Sequence, residues 1–246
     1  LLAGYGDGEV SMLHRTVALA FVCLLASCSA AEDAPKAPAP PAKGAPQLPD
    51  IRLDLKAGTV EIDGTFCVGE YPLELLVCQN TMKDYESMIS SPAKPSLLHT
   101  ALLALGLKPR VRDQKEPGRV LREGDPVDVL LRFTRDGKEV TVEPRELIVN
   151  VETKEHIAAT PFVFFGSFLF PDPEDGKRMI YLGDSEQWLI GLLGDTASVI
   201  DLPPEAAGKY GALGIDTKVA PPKGSKVTVV MRPSKDRKPA GAPKGK

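Results

Sequence analysis

Between positions 50 and 233, apolar residues recur in short runs, and turn-forming residues separate them. The runs at 51–55, 59–67, 73–78, 126–134, 139–142, 161–170, 178–182, 187–192 and 226–232 are rich in β-branched and aromatic residues, which predicts strands there. Asp136-Gly137, between the fourth and fifth runs, suits a type I′ hairpin turn, whose two central residues both need positive φ. One stretch follows a helical period instead. Over 95–105, Leu98, Ala101, Leu102 and Leu105 share a face, Pro95 fits a first turn and Gly106 supplies a stop, so a helix packed on a sheet is predicted. A second helical pattern at 145–152 contains β-branched residues that would serve equally in a strand. The pattern predicts an α+β fold: β-rich, a mainly antiparallel sheet, one or two packed helices.

The ends of the chain read differently. Met12 to Cys28 places a short basic start (His14, Arg15) before an apolar run at 17–26 and then small residues. That run is too short to cross a bilayer as a helix and has the length of a signal-peptide core. Leu25-Ala26-Ser27-Cys28 resembles the bacterial lipobox, which makes Cys28 the expected lipidation site and the membrane an expected partner through the anchor. The acidic stretch before Met12 fits no signal peptide, so residues 1–27 are expected to combine an over-extended start with a signal peptide. Residues 28–49 hold six prolines and little to bury, as an extended tether would. Residues 234–246 form a basic tail, leaving 50–233 as one domain. Ser29, not Asp, follows the cysteine, which favours the outer membrane over the inner under the enterobacterial sorting rule. The expected location is the bacterial cell envelope, on the periplasmic side.

Composition adds little beyond this. The 246 residues carry a formal charge of −3, which offers no electrostatic footprint for nucleic acid. No P-loop and no G-x-G-x-x-G motif occurs, so no cofactor is expected. Cys67 and Cys78 lie on consecutive predicted strands joined by a turn at 69–72; in an exported protein they suit a disulfide, with free thiols or metal ligands as the alternatives. His99 with Glu86 and Asp84 is the sharpest catalytic candidate, since a histidine oriented by a carboxylate is the minimum for general-base chemistry. The same His99 also fits a packed helix edge. Downstream of Cys28 the only histidines are His99 and His156, too few for a His-rich metal centre. Ser167 after Gly166 lacks the G-x-S-x-G elbow of a nucleophile and suits a sheet residue.

The run from Phe66 through Cys67 and Gly69-Glu70-Tyr71-Pro72 to Cys78, then Lys83-Asp84-Tyr85-Glu86-Ser87, then His99 to Leu107, resembles the YdjY-domain family. Phe162 to Ser167, Asp201-Leu202-Pro203 and Pro221 to Val227 resemble its later blocks, in the same order. The resemblance implies an exported protein, many relatives being lipoproteins, and brings no established biochemical activity. Where the family usually reads His-Glu-Ser, this chain has Tyr85-Glu86-Ser87, and Tyr is a poor base at neutral pH. The expected function is a binding or structural module at the envelope, with cell-wall polymer or an envelope protein as partner. The alternative is an envelope hydrolase or metal-dependent enzyme using His99 and Glu86.

Overall fold

The computed structural model describes residues 48–67, 72–80, 83–113, 115–116 and 119–235. The expected signal peptide, Cys28, nearly all of the tether, the tail from 236 onward and most of the 69–72 turn lie outside the described residues. In chain order the strands are β1 (Ile51–Asp54), β2 (Thr59–Phe66), β3 (Leu75–Gln79), β4 (Ser87–Ser91), β5 (Val111–Arg112), β6 (Val120–Arg122), β7 (Pro126–Arg135) and β8 (Lys138–Val142). They continue as β9 (Ile148–Asn150), β10 (Phe162–Phe164), β11 (Leu169–Pro171), β12 (Met179–Tyr181), β13 (Trp188–Gly191), β14 (Ile200–Asp201), β15 (Leu213–Ile215) and β16 (Lys226–Pro233). The helices are α1 (Pro95–Ala104) and α2 (Leu182–Glu186).

Eight of these strands close on themselves in the order β2-β16-β7-β10-β14-β13-β3-β4, with β4 pairing back onto β2. The expected α+β architecture, a mainly antiparallel sheet with packed helices, is therefore overturned in favour of a closed β-barrel. The strand responsible is β4. Its sequence, Ser-Met-Ile-Ser-Ser, carries little strand signal, yet it runs parallel to β3 and antiparallel to β2. Closure also needs a small residue. A Cβ at Gly64 would lie 2.8 Å from the Ser90 carbonyl oxygen and 2.6 Å from the Ile89 side chain, so only glycine lets β4 come this close to β2.

The long strands fill the interior by alternation. Val127, Val129, Leu131 and Phe133 of β7 point inward, as do Val60, Ile62 and Phe66 of β2 and Val227, Val229 and Met231 of β16, all buried. Each large apolar side chain removed from water there contributes on the order of 1.5–3 kcal/mol. The turn between β7 and β8 has Asp136 at φ 52° and Gly137 at φ 73°, as a type I′ hairpin requires.

Helix α1 buries Leu98, Ala101 and Leu102 and packs against β1, β13 and α2. Lys94 at its N-cap offers no side-chain acceptor; Asp184 of α2 accepts the Ser96 N–H at 2.8 Å and pairs with Lys94 Nζ at 3.0 Å. Gly106, at φ 80°, follows its last turn. The helical pattern at 145–152 resolves instead into a 3₁₀ turn at Pro144–Glu146 and β9.

The disulfide expectation is corrected by the same strand that closes the barrel. Cys67 and Cys78 are both free and buried. The Cys67 N–H donates to the Met88 carbonyl on one edge of β4, and Cys78 pairs with Ser90 on the other. A whole strand therefore separates them, roughly 9–10 Å at the usual inter-strand spacing, whereas a disulfide needs Cα atoms within about 7 Å. The sequence places the two strands consecutively, but β4 is inserted between them in space. Burial pushes the Cys78 thiol up to about 11 and raises that of Cys67, so neither is a reactive thiolate at neutral pH.

Candidate functional site

His99 sits on α1 with its ring half-buried between two aromatic neighbours, edge-on to Phe164 at 5.0 Å and Tyr181 at 5.7 Å. Its Nδ1 lies 2.9 Å from the Tyr181 hydroxyl, and that hydroxyl donates to the Gly166 carbonyl at 2.9 Å. A carbonyl only accepts, so the single Tyr181 proton is committed and His99 Nδ1–H must be the donor to Tyr181 Oη. Burial lowers the His99 pKa, keeping the ring neutral. The ring thus ties α1 to the turn after β10.

The carboxylates expected beside it have other partners. Glu86 ends the 3₁₀ turn Asp84–Glu86, is buried, and pairs with Lys83 at 3.1 Å. Its carboxylate also bears on Glu74, whose pKa is raised by burial first and by Glu86 second. The structure joins His99 to Tyr181, Phe164 and Gly166, and Glu86 to Lys83 and Glu74, so the pair the sequence suggested is not assembled as an acid–base couple. Among the described residues no group of three or more His, Cys, Asp or Glu is placed to hold a metal ion. Ser167 takes φ 48° and its Oγ accepts the Gly183 N–H at 2.9 Å, a turn-stabilising role.

A concavity lies elsewhere, on the outer wall. Because β2, β7 and β16 alternate, Asp63, Thr65, Arg132, Lys226 and Thr228 face outward, and with Glu139 of β8 they line a groove of about 810 Å³. Thr228 Oγ1 donates to Asp63 at 2.8 Å, Lys226 Nζ donates to Thr65 Oγ1 at 3.2 Å, and Arg132 donates to Glu61 at 2.8 Å. The hydrogen bond from Arg52 holds the Asp63 carboxyl below its usual range despite partial burial, with Thr228 assisting. The groove therefore offers hydroxyls, two cations and two carboxylates beside the apolar Pro92, Phe133 and Val227. Such a surface suits a ligand rich in hydrogen-bonding groups and near neutral in charge, better than a polyelectrolyte of one sign.

The model of the YdjY domain family matches residues 51–232, from the first residue of β1 to the penultimate residue of β16. This chain belongs to the YdjY-domain family. No curated protein and no solved structure matches it. The family unit is thus coextensive with the barrel and includes the groove.

One residue of the YdjY domain was legible in the sequence only as part of a family-like block, without a role. Asp201, wholly buried on β14, accepts hydrogen bonds from the backbone N–H of Gly194, Asp195 and Leu202 and from the Ser198 hydroxyl, at 2.7–3.0 Å. Burial pushes its carboxyl up to about 7 against the pull of those four donors. A Cβ at Gly191 would stand 1.9 Å from Asp201 Oδ2, so the neighbouring strand admits the carboxylate only through glycine. The four bonds all serve the 191–202 segment, making Asp201 a clamp on the barrel wall. The signal for it was a lone acid in the apolar run Ala197-Ser198-Val199-Ile200-Asp201-Leu202. A second concavity, about 400 Å³, lies where β7 changes neighbour from β10 to β8, walled by Leu130, Ile157, Pro161 and Phe162.

Proposed function

We propose that this protein is an envelope lipoprotein, anchored through Cys28, whose YdjY barrel is a binding module for a hydroxyl-rich cell-wall polymer. The groove on the outer face of β2, β16 and β7 carries the reading. Its hydroxyls and balanced charges present donors and acceptors to a polar chain, and its open form accepts a polymer passing through. The anchor and tether expected at 28–49 would hold such a module near the wall. The commitment of His99 to Tyr181 weighs against the rival hydrolase, which needs that ring beside Glu86. Ser29 after the lipidated cysteine favours the outer membrane.

Two measurements test the reading. Palmitate labelling in cells should vanish in Cys28→Ala, and continued labelling would reject the anchor. The full chain should co-sediment with isolated peptidoglycan sacculi, and Thr228→Trp, which fills the groove from its outer wall, should weaken that binding about tenfold. Undiminished binding by a folded Thr228→Trp protein would reject the groove as the site.

A further inference from the structure

The chain from Lys108 to Arg122 departs from the charge of the rest. It carries six cations and two anions in a protein of net charge −3. Its described part is the β5–β6 ribbon, pairing Val111 with Arg122 and Arg112 with Val120 outside the barrel wall. The base of the ribbon is fixed. The Arg110 N–H donates to the Phe164 carbonyl at 2.9 Å, and its guanidinium lies 3.4 Å over the Phe165 ring and pairs with Glu123. Arg122 adds a bond to the Pro109 carbonyl. A Cβ at Gly124 would come within 2.0 Å of the Phe164 carbonyl oxygen, so the chain leaves the ribbon in close contact with the barrel rim.

Beyond that base Arg112, Asp113 and Val120 are half-buried, Asp113 lying 3.8 Å from Arg119, and the other described side chains stand in water. Val111 is 40% and Leu121 47% exposed, and Lys108, Lys115 and Arg119 are exposed beside them. Single exposed apolar side chains are ordinary. Two on one short, rigidly rooted ribbon among exposed cations give it the mixed apolar and cationic exposure of elements that lie in a lipid interface. A soluble polyanion would be held by the cations alone and would leave Val111 and Leu121 without purpose. Anionic headgroups over acyl chains satisfy both kinds of side chain.

We infer that the β5–β6 ribbon is a membrane-contact element that seats the barrel on an anionic lipid surface through Lys108, Lys115 and Arg119, with Val111 and Leu121 entering the headgroup layer. It is independent of the groove: the groove takes the polymer, and the ribbon orients the barrel on the bilayer.

Hydrogen–deuterium exchange of the full chain tests this with a readout local to the ribbon, so that adhesion through residues 17–26 does not imitate it. Amides at Val111, Arg112 and Val120 to Arg122 should gain protection with vesicles of phosphatidylglycerol and phosphatidylcholine, and none with phosphatidylcholine alone. The protection should fade as salt is raised. Lys115→Gln with Arg119→Gln should raise the lipid concentration needed by about fivefold per cation removed. Val111→Ser with Leu121→Ser should weaken it further, while Thr228→Trp leaves it unchanged. Absence of protection with anionic vesicles would overturn the inference. So would equal protection by dextran sulfate that ignores Val111→Ser with Leu121→Ser, since that would mark a polyanion site.

Discussion

From β2 through β16 to β7 the barrel wall is made of strands of eight, eight and ten residues, with the five-residue β8 paired on β7 beside the closed ring, all antiparallel in continuous register. Round the other arc, β10, β14, β13, β3 and β4 have three, two, four, five and five residues. Two of the pairings there run parallel, and β13 slips register twice against β3. The long arc is held by a ladder and an alternating apolar face, each residue replaceable in its small share. The short arc has too few ladder bonds for that and relies on single contacts: Asp201 with its four donors, Gly191 beneath it, and Gly64 at the seam. Substitutions should therefore be severe on one arc and mild on the other.

The largest effect is expected at Asp201. Asp201→Ala removes the acceptor of three backbone N–H groups, the buried Leu202 N–H among them, and leaves the Ser198 hydroxyl only the Asp195 carbonyl, which should cost about 3 kcal/mol in urea unfolding. A loss under about 1 kcal/mol would show that the short arc does not depend on this clamp. Its titration should also be visible. With the folded pKa raised from 3.8 to about 7, the folded chain retains a proton that the unfolded chain has lost, so this group lowers stability as pH rises from 3.8 towards 7 and adds no slope above that. His99 acts in the opposite direction. Its folded pKa is depressed below 6.5, the unfolded chain takes up a proton first, and stability falls as pH drops below 6.5. Stability measured between pH 4 and 8 should lose the first slope in Asp201→Asn and the second in His99→Phe.

Glycine substitutions set the arcs side by side at a smaller scale. Gly191→Ala drives a Cβ into the Asp201 carboxylate and should cost about 2–3 kcal/mol. Gly137→Ala, in the open hairpin turn of the long arc at φ 73°, meets no neighbouring atom and should cost about 1 kcal/mol, from backbone strain alone. Equal costs in thermal or urea melts would erase the distinction. Smallest of all should be Arg52→Ala, on β1 beside the long arc. Its ion pairs with Glu61 and Asp63 are exposed, so a change within about 0.5 kcal/mol is expected.

The arcs also differ in how far they could be read in advance. The long strands, the Asp136-Gly137 turn and the burial of Leu98, Ala101 and Leu102 follow from periodicity, because a residue's neighbours at two or four positions along the chain share its face. β4 did not follow, since its serines are buried by β2 and β3 and not by any pattern of their own. The two cysteines misled for the same reason: adjacency in sequence stood in for adjacency in the sheet. The His99 and Glu86 pairing rested on the chemistry of the two residue types, whereas the partner of the ring in the structure, Tyr181, lies 82 residues away. Asp201 looked like one more acid until its strand was enclosed.

What the sequence determined by itself is which segments extend, which one coils, where the hairpin turns and which family the residues resemble, all properties of short-range order. What the tertiary structure alone decided is who stands next to whom: the closure of the barrel at Gly64, the strand between the thiols, the donors around Asp201 and the outward groove. Alternation tells a side chain which face to seek but not which strand lies beside it. That choice is made by burial and by atomic volume summed over the whole chain, down to whether a single Cβ fits between two strands.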